Sequence, residues 1–188
     1  MVAIGVTGHR KLINIEQLLS GLDQALNQIQ RAYPNSKITI ISPLAEGADR
    51  LVASRAMAKY YADLVVPLPL VISKYMLDFG SRASKAEFEN LLDRAAQVIE
   101  LPPVEDREAS YLAAGLYVLE HSDILIAIWD GLPARRPAGT GQIVAQAREQ
   151  LKPLAWIFAG NQDQEFHSAS LSEFKLGDVK FESFPSAN

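Results

Sequence analysis

The run Ile124-Leu125-Ile126-Ala127-Ile128-Trp129, which follows Asp123, is apolar at every position. A strand with one wet face alternates between apolar and polar side chains; this one does not, so both of its faces must be covered. Continuous strands of this kind belong at the centre of a parallel sheet with helices packed above and below. That single segment therefore selects an α/β architecture and places itself in the middle of it.

The remainder of the chain supplies the layers. Val2–Thr7 is a short β-branched run that ends at Gly8, and Asn14–Arg31 then carries Ile15, Leu18, Leu19, Leu22, Ala25, Leu26 and Ile29 on one helical face. Asn14 with Gln17 reads as the cap of that helix. A strand at Lys37–Ser42 precedes a helix at Asp49–Tyr61. A third strand, Leu64–Leu68, is placed near a sheet edge by Pro67 and Pro69, which cannot donate to a ladder. Ser84 with Glu87 reads as a capping box before Phe88, Leu91 and Leu92. A strand at Gln97–Leu101, a helix at Arg107–Glu120, a helix around Ile143, Val144, Ala147 and Leu151, and a strand at Leu154–Ala159 complete the alternation. Alternating strands and helices imply right-handed crossovers. The expected fold is a Rossmann-like three-layer α/β sandwich with a mainly parallel sheet of about six strands. Residues 1–160 form this domain; 161–188 form a C-terminal extension, either a small hairpin near Leu176-Gly177-Asp178 or a mobile tail.

Composition narrows the functions. The chain has 188 residues, 48% of them hydrophobic, and no cysteine, which excludes disulfides, thiolate nucleophiles and cysteine metal sites. Only three histidines are present to build a metal site, and none is expected. The start Met-Val-Ala-Ile-Gly lacks a signal peptide's basic region, and no apolar run has the length of a membrane span, which points to a cytoplasmic protein without membrane partners. A net charge of −4 offers no general attraction for polyanions, so bulk nucleic-acid binding is not expected.

In an open parallel sheet, ligands bind beyond the carboxyl ends of the strands, where the topology reverses. The least ordinary segments of the chain all follow strands. They are Thr7-Gly8-His9-Arg10, Pro43-Leu44-Ala45-Glu46-Gly47-Ala48-Asp49-Arg50, and Asp130-Gly131 through Gly139-Thr140-Gly141. Gly8 permits a sharp turn and a close phosphate approach, and Arg10 can pair with phosphate bidentately; the alternative is a plain turn beside a solvated charge. His9 suits either a ligand hydrogen bond or a structural one. Gly139-Thr140-Gly141 opens a helix whose free amides make an anion site, with Thr140 as a cap or a hydroxyl donor and Arg135 and Arg136 just upstream. Thr7, Gly47, Asp49, Arg50 and Gly131 join Gly8, His9 and Arg10 as candidate ligand contacts on this rim; for Asp49 helix capping is a sufficient explanation, and Arg50 can instead hold Glu46 or Asp49 in an ion pair. Glu46 and Asp130 are the candidates for a ribose contact or a general base. Tyr75, Asp78 and Phe79 lie in an aperiodic stretch that reads as a lid or as satellite core.

The motifs Ile4-Gly5-Val6-Thr7-Gly8-His9-Arg10 and Leu44-Ala45-Glu46-Gly47-Ala48-Asp49-Arg50-Leu51-Val52-Ala53, followed by the late glycine-threonine turn, resemble those of the SLOG superfamily over residues 1–160. That superfamily contains the LOG-type phosphoribohydrolases, the lysine-decarboxylase-like proteins, and the DprA-like and YpsA-like proteins. The resemblance implies a Rossmann-like fold, a nucleotide or nucleotide-derived ligand such as an ADP-ribose-like molecule, no obligatory cofactor, and a homodimer or larger homo-oligomer. LOG enzymes carry Pro-Gly-Gly-x-Gly-Thr-x-x-Glu with a catalytic glutamate, and the chain has Ile143 at the matching place. An isoleucine cannot stabilise an oxocarbenium ion or move a proton.

Three functions follow as expectations. One is binding or sensing of a nucleotide-like phosphate at the rim. The second is cleavage or transfer at an N-glycosidic bond, with Glu46 or Asp130 as the catalytic acid or base. The third is a protein-interaction domain whose glycine turns serve folding alone.

Overall fold

A computed structural model describes residues 1–104, 106–134, 139–160 and 173–184. In chain order these form β1 (Val2–Gly8), α1 (Ile15–Ala32), β2 (Ile38–Ile41), α2 (Ala48–Tyr60), β3 (Asp63–Leu68), α3 (Ile72–Tyr75), a 3-10 turn (Met76–Asp78), α4 (Arg82–Asp93) and β4 (Gln97–Glu100). They continue as α5 (Arg107–Glu120), β5 (Ile124–Trp129), α6 (Thr140–Glu149), β6 (Leu154–Phe158) and β7 (Val179–Glu182). The strands make one sheet in the order β4-β3-β2-β1-β5-β6-β7. The first six are parallel; β7 runs antiparallel to β6, pairing Val179 with Ile157 and Glu182 with Leu154. The expected α/β sandwich is present, with one more strand than the sequence pattern suggested. The added strand comes from the segment read as an extension.

The period-2 alternation of each strand sorts its side chains between two helical layers. Ile4, Val6, Ile40, Leu64, Val66, Ile126 and Ile128 face α1, α2 and α4, whereas Leu125, Ala127, Trp129, Trp156 and Phe158 face α5 and α6. All six residues of β5 are buried, as its unbroken apolar run required. β3 lies next to the edge strand β4, in keeping with its prolines.

Two local readings change. Asn14 does precede α1, but its backbone is left-handed at φ 47° and its side chain makes no capping bond; the helix start is closed by the Gln17 amide donating to the Asn14 carbonyl at 3.0 Å. The start of α4 is capped by Ser81, whose hydroxyl accepts from the Ser84 amide at 3.0 Å. Ser84 and Glu87 are therefore not a capping box, and their side chains go elsewhere. Among the described residues, no helix is long and apolar enough to cross a membrane.

Candidate ligand-binding rim

The chain steps from β1 outward to β4 and then returns to the other side of β1, so the topology reverses between β1 and β5. Gly8 is level with Ile128 in the ladder, and the two turns leave the sheet side by side. The His9 amide donates to the Ile128 carbonyl at 3.0 Å. The imidazole then reaches across the switch point: its Nε2 accepts from the Asp130 amide at 3.1 Å and lies 3.3 Å from Asp130 Oδ1. An Nε2 that accepts places the neutral ring's proton on Nδ1. The Asp130 carboxylate also accepts from the Leu132 amide at 3.0 Å, which directs the following loop, and Gly131 turns that loop at φ 82°. The structure thus brings His9 and Asp130 together, 121 residues apart in sequence. Thr7 is half-buried within β1, level with Ala127.

The turn after β2 locks onto the turn after β1. The Ala48 amide donates to the His9 carbonyl at 3.0 Å. A Cβ on Gly47 would overlap the carbonyl oxygens of both His9 and Arg10, and Gly47 itself sits at φ 84°. A Cβ on Gly8 would overlap the Ala48 methyl and lie 2.6 Å from the Ile128 carbonyl oxygen. Gly8 is therefore required first by the packing of strand against helix, independently of any ligand.

Asp49 and Arg50 are not surface groups of the rim. Asp49 is 5% exposed and accepts from the Ala45 amide at 3.2 Å, closing the loop that leads into α2; the residue before the helix is Gly47, with no side-chain cap. Burial raises its pKa from an ordinary 3.8 to about 7, against the lowering effects of the Ala45 amide, the Ser42 hydroxyl, Arg10 and Arg50. The folded protein holds this proton at pH values where the unfolded chain has released it. Stability contributed here is accordingly lost as pH rises from about 4 through 7. Asp49→Asn is expected to be more stable than the parent by about 1–3 kcal/mol at pH 8 and close to it near pH 4. Urea denaturation at the two pH values measures this, and equal stability at pH 8 would remove the buried-charge explanation.

Arg50 is 2% exposed. Its Nε donates to the Leu44 carbonyl at 3.0 Å, and its Nη1 reaches the Ser84 carbonyl at 2.8 Å, Ser84 Oγ at 2.9 Å and Glu87 Oε2 at 3.0 Å. The expected ion pair with Glu46 or Asp49 is replaced by this clamp on α4, and a direct ligand contact by Arg50 is ruled out by its depth. Glu46 is tied to the same helix, accepting from the Ser84 hydroxyl and, at 3.4 Å, from the Gly80 amide. It therefore has a structural explanation that the sequence did not offer.

Above these buried groups, Arg10 is exposed and lies over the ring of Tyr111, with its guanidinium carbon 5.4 Å from the ring centre. The Tyr111 hydroxyl bonds to Asp78 and accepts from Arg107 Nε at 3.1 Å; Arg107 also pairs with Asp78 and donates to the Lys74 carbonyl at 3.0 Å. Tyr75 and Phe79 pack edge-on at 5.1 Å, and both contact Phe88. Of the two readings, lid or satellite core, the stretch packs as core: Tyr75 and Phe79 are buried in an aromatic plug. Tyr111 and Arg107 did not stand out in sequence. They are four apart at the start of a helix that follows a strand, and the rim rule applied to α5 would have found them.

At the far side, Gly139 precedes α6 in extended conformation without a side-chain cap, and Thr140 is the first helical residue. Thr140 is thus not the cap. Gly141 packs against the loop from β5: a Cβ there would lie 2.5 Å from the Ala134 amide and 2.9 Å from the Leu132 carbonyl oxygen. Arg135, Arg136, Pro137 and Ala138 lie outside the described residues. Ile143 is 3% exposed and packs against Gly115 of α5, so the position that resembles the LOG glutamate is committed to the core.

The sequence matches no protein-family model and no curated protein. Among solved structures it is similar to DNA processing protein A (DprA) from Streptococcus pneumoniae, with 16% identity and a TM-score of 0.56 over 87% of this chain. It is also similar to DNA processing protein A from Helicobacter pylori, with 15% identity and a TM-score of 0.52 over 90% of this chain. The chain spans 52% of the pneumococcal protein and 69% of the Helicobacter one. The Helicobacter structure concerns a single-stranded DNA binding mode. The expectation that an acidic net charge sets bulk nucleic acid aside is corrected on this ground, because phosphate recognition depends on the local field of a few cations and amides and not on the sum over the surface. The chain has the Rossmann-like fold of the DprA proteins, the fold that its resemblance to the SLOG superfamily implied.

Proposed function

We propose that the chain binds a phosphate-bearing ligand of the nucleotide class, free or within a single strand, at the carboxyl rim between β1 and β5. The observation that carries this reading is Arg10, an exposed guanidinium on the β1 turn, held over Tyr111 beside the His9–Asp130 contact at the point where the sheet reverses. In this reading Arg10 takes the phosphate charge. The first amides of α6 add donors that carry no side-chain cap, and Asp130 and His9 face the sugar. Binding is favoured over N-glycosidic cleavage because Ile143 is a core residue and Glu46 is spent on Ser84 and Gly80. Single-stranded DNA enters the proposal through the similar Helicobacter protein, and mononucleotides through the SLOG resemblance.

Thermal denaturation with AMP, ADP-ribose and a short oligothymidylate separates these. A raised Tm with ligand unchanged supports binding, release of free base supports the hydrolase, and no shift with any of the three sinks both in favour of an interaction domain. Arg10→Ala is expected to weaken the ligand that binds by about 1.5–3 kcal/mol, or about ten- to a hundredfold in Kd. An unchanged Kd, read by calorimetric titration, would take Arg10 out of the site.

A further inference from the structure

We infer that anion binding at this rim draws a proton onto Asp49, so that the ligand is held more tightly as the solution becomes more acidic. The inference rests on the phosphate reading above and concerns how that site is regulated.

Its basis is the way the two turns are fused. The Ala48 amide donates to the His9 carbonyl, and Gly47 presses against the carbonyls of His9 and Arg10. The turn that bears Arg10 therefore rests directly on the first residues of α2, where the Asp49 carboxyl is buried. That carboxyl is satisfied by an amide and a hydroxyl, from Ala45 and Ser42, and not by a guanidinium fork. Among the described residues, Arg10 on the β1 turn, Arg50 of α2 itself and Tyr75 of α3 act on it electrostatically. Arg50 is committed to Leu44, Ser84 and Glu87, and burial pushes the Tyr75 phenol far up, which leaves it neutral. Arg10 alone among the three is exposed and open to a ligand.

The consequence is electrostatic linkage. Without ligand, Arg10 favours the ionised form of Asp49, which stands near half-protonation at neutral pH because its pKa is about 7. A phosphate on Arg10 neutralises that support and sets a negative charge above the buried carboxylate, which then takes a proton from the buffer. By reciprocity, a protonated Asp49 strengthens anion binding at Arg10.

Calorimetric titration of the intact chain at pH 7, in PIPES and in imidazole buffers, measures the uptake from the difference in buffer ionisation heat. ADP-ribose and an oligothymidylate with a free 5′ hydroxyl are the probes, since neither carries a phosphate monoester that titrates near pH 6. The expected result is uptake of about half a proton per ligand, with affinity about fivefold higher at pH 6 than at pH 8. Asp49→Asn should bind with no uptake. Binding with no uptake overturns the coupling while leaving the phosphate reading intact. Uptake that survives Asp49→Asn places the proton on another group and overturns it equally. No binding of either probe removes the phosphate reading and the coupling together.

Discussion

Replacing Arg50 with alanine is expected to destabilise the protein by about 3–5 kcal/mol, from the buried hydrogen-bond acceptors it orphans and the void its side chain leaves. The side chain is 2% exposed, and four oxygens depend on it: the carbonyls of Leu44 and Ser84, the Ser84 hydroxyl and the Glu87 carboxylate. Its guanidinium carbon lies 4.3 Å from the centre of the Phe79 ring and 5.8 Å from that of Phe88, so truncation also opens a cavity between α2 and the aromatic plug. Glu87 is 56% exposed, and its ion pair is screened; the larger part of the loss comes from the orphaned carbonyls and the void. Nη2 of Arg50 has no hydrogen-bond partner among the described residues, which marks the ring faces as part of what holds the cation. Urea denaturation at pH 7 gives the measurement. Arg50→Met should recover part of the loss by refilling the volume, and a loss below about 1 kcal/mol for Arg50→Ala would mean that α4 is held by its apolar face alone.

The second large effect is expected at Gly47. Its φ of 84° with ψ −118° lies where an L side chain is strained, and a Cβ there would overlap two carbonyl oxygens of the neighbouring turn. Backbone atoms cannot step aside as a side chain can, so Gly47→Ala must push the β1 and β2 turns apart. The expected cost is about 3 kcal/mol, which for a domain of this size lowers Tm by about 6–12 °C. Because the displaced turn carries Arg10, ligand affinity should fall along with stability, whereas Arg10→Ala should lower affinity alone. A Gly47→Ala protein with the parental Tm would show that the two turns are not in the tight contact described.

The layers were legible because each depends on local pattern. The unbroken apolar run of β5 demanded cover on both faces, and the 3.6-residue periodicity of α1 demanded one buried stripe. The rim was legible as well, since every turn that leaves a parallel strand must gather at the same end. What failed was the assignment of partners. Ser84 and Glu87 have the spacing of a capping box, but a buried guanidinium 34 residues away offers Ser84 a charged bond that a helix end cannot match. Arg50 looked like a rim cation, and yet the aromatic residues after β3 bury it. Tyr111, Arg107 and Asp78 converge although no motif joins them.

By itself, then, the sequence determined the fold class, the central strand and the end of the sheet at which its unusual turns gather, because hydrophobic period and strand direction are properties of neighbouring residues. Only the tertiary structure decided which of the rim's charged groups are open to solvent and which serve the core. Arg10 and Arg50 are the same residue type in the segments that follow adjacent strands, and one is exposed over Tyr111 while the other is sealed between α2 and α4. The difference is made by packing across the sheet, where burial sets the strength of every charge and depends on residues that are distant in the chain.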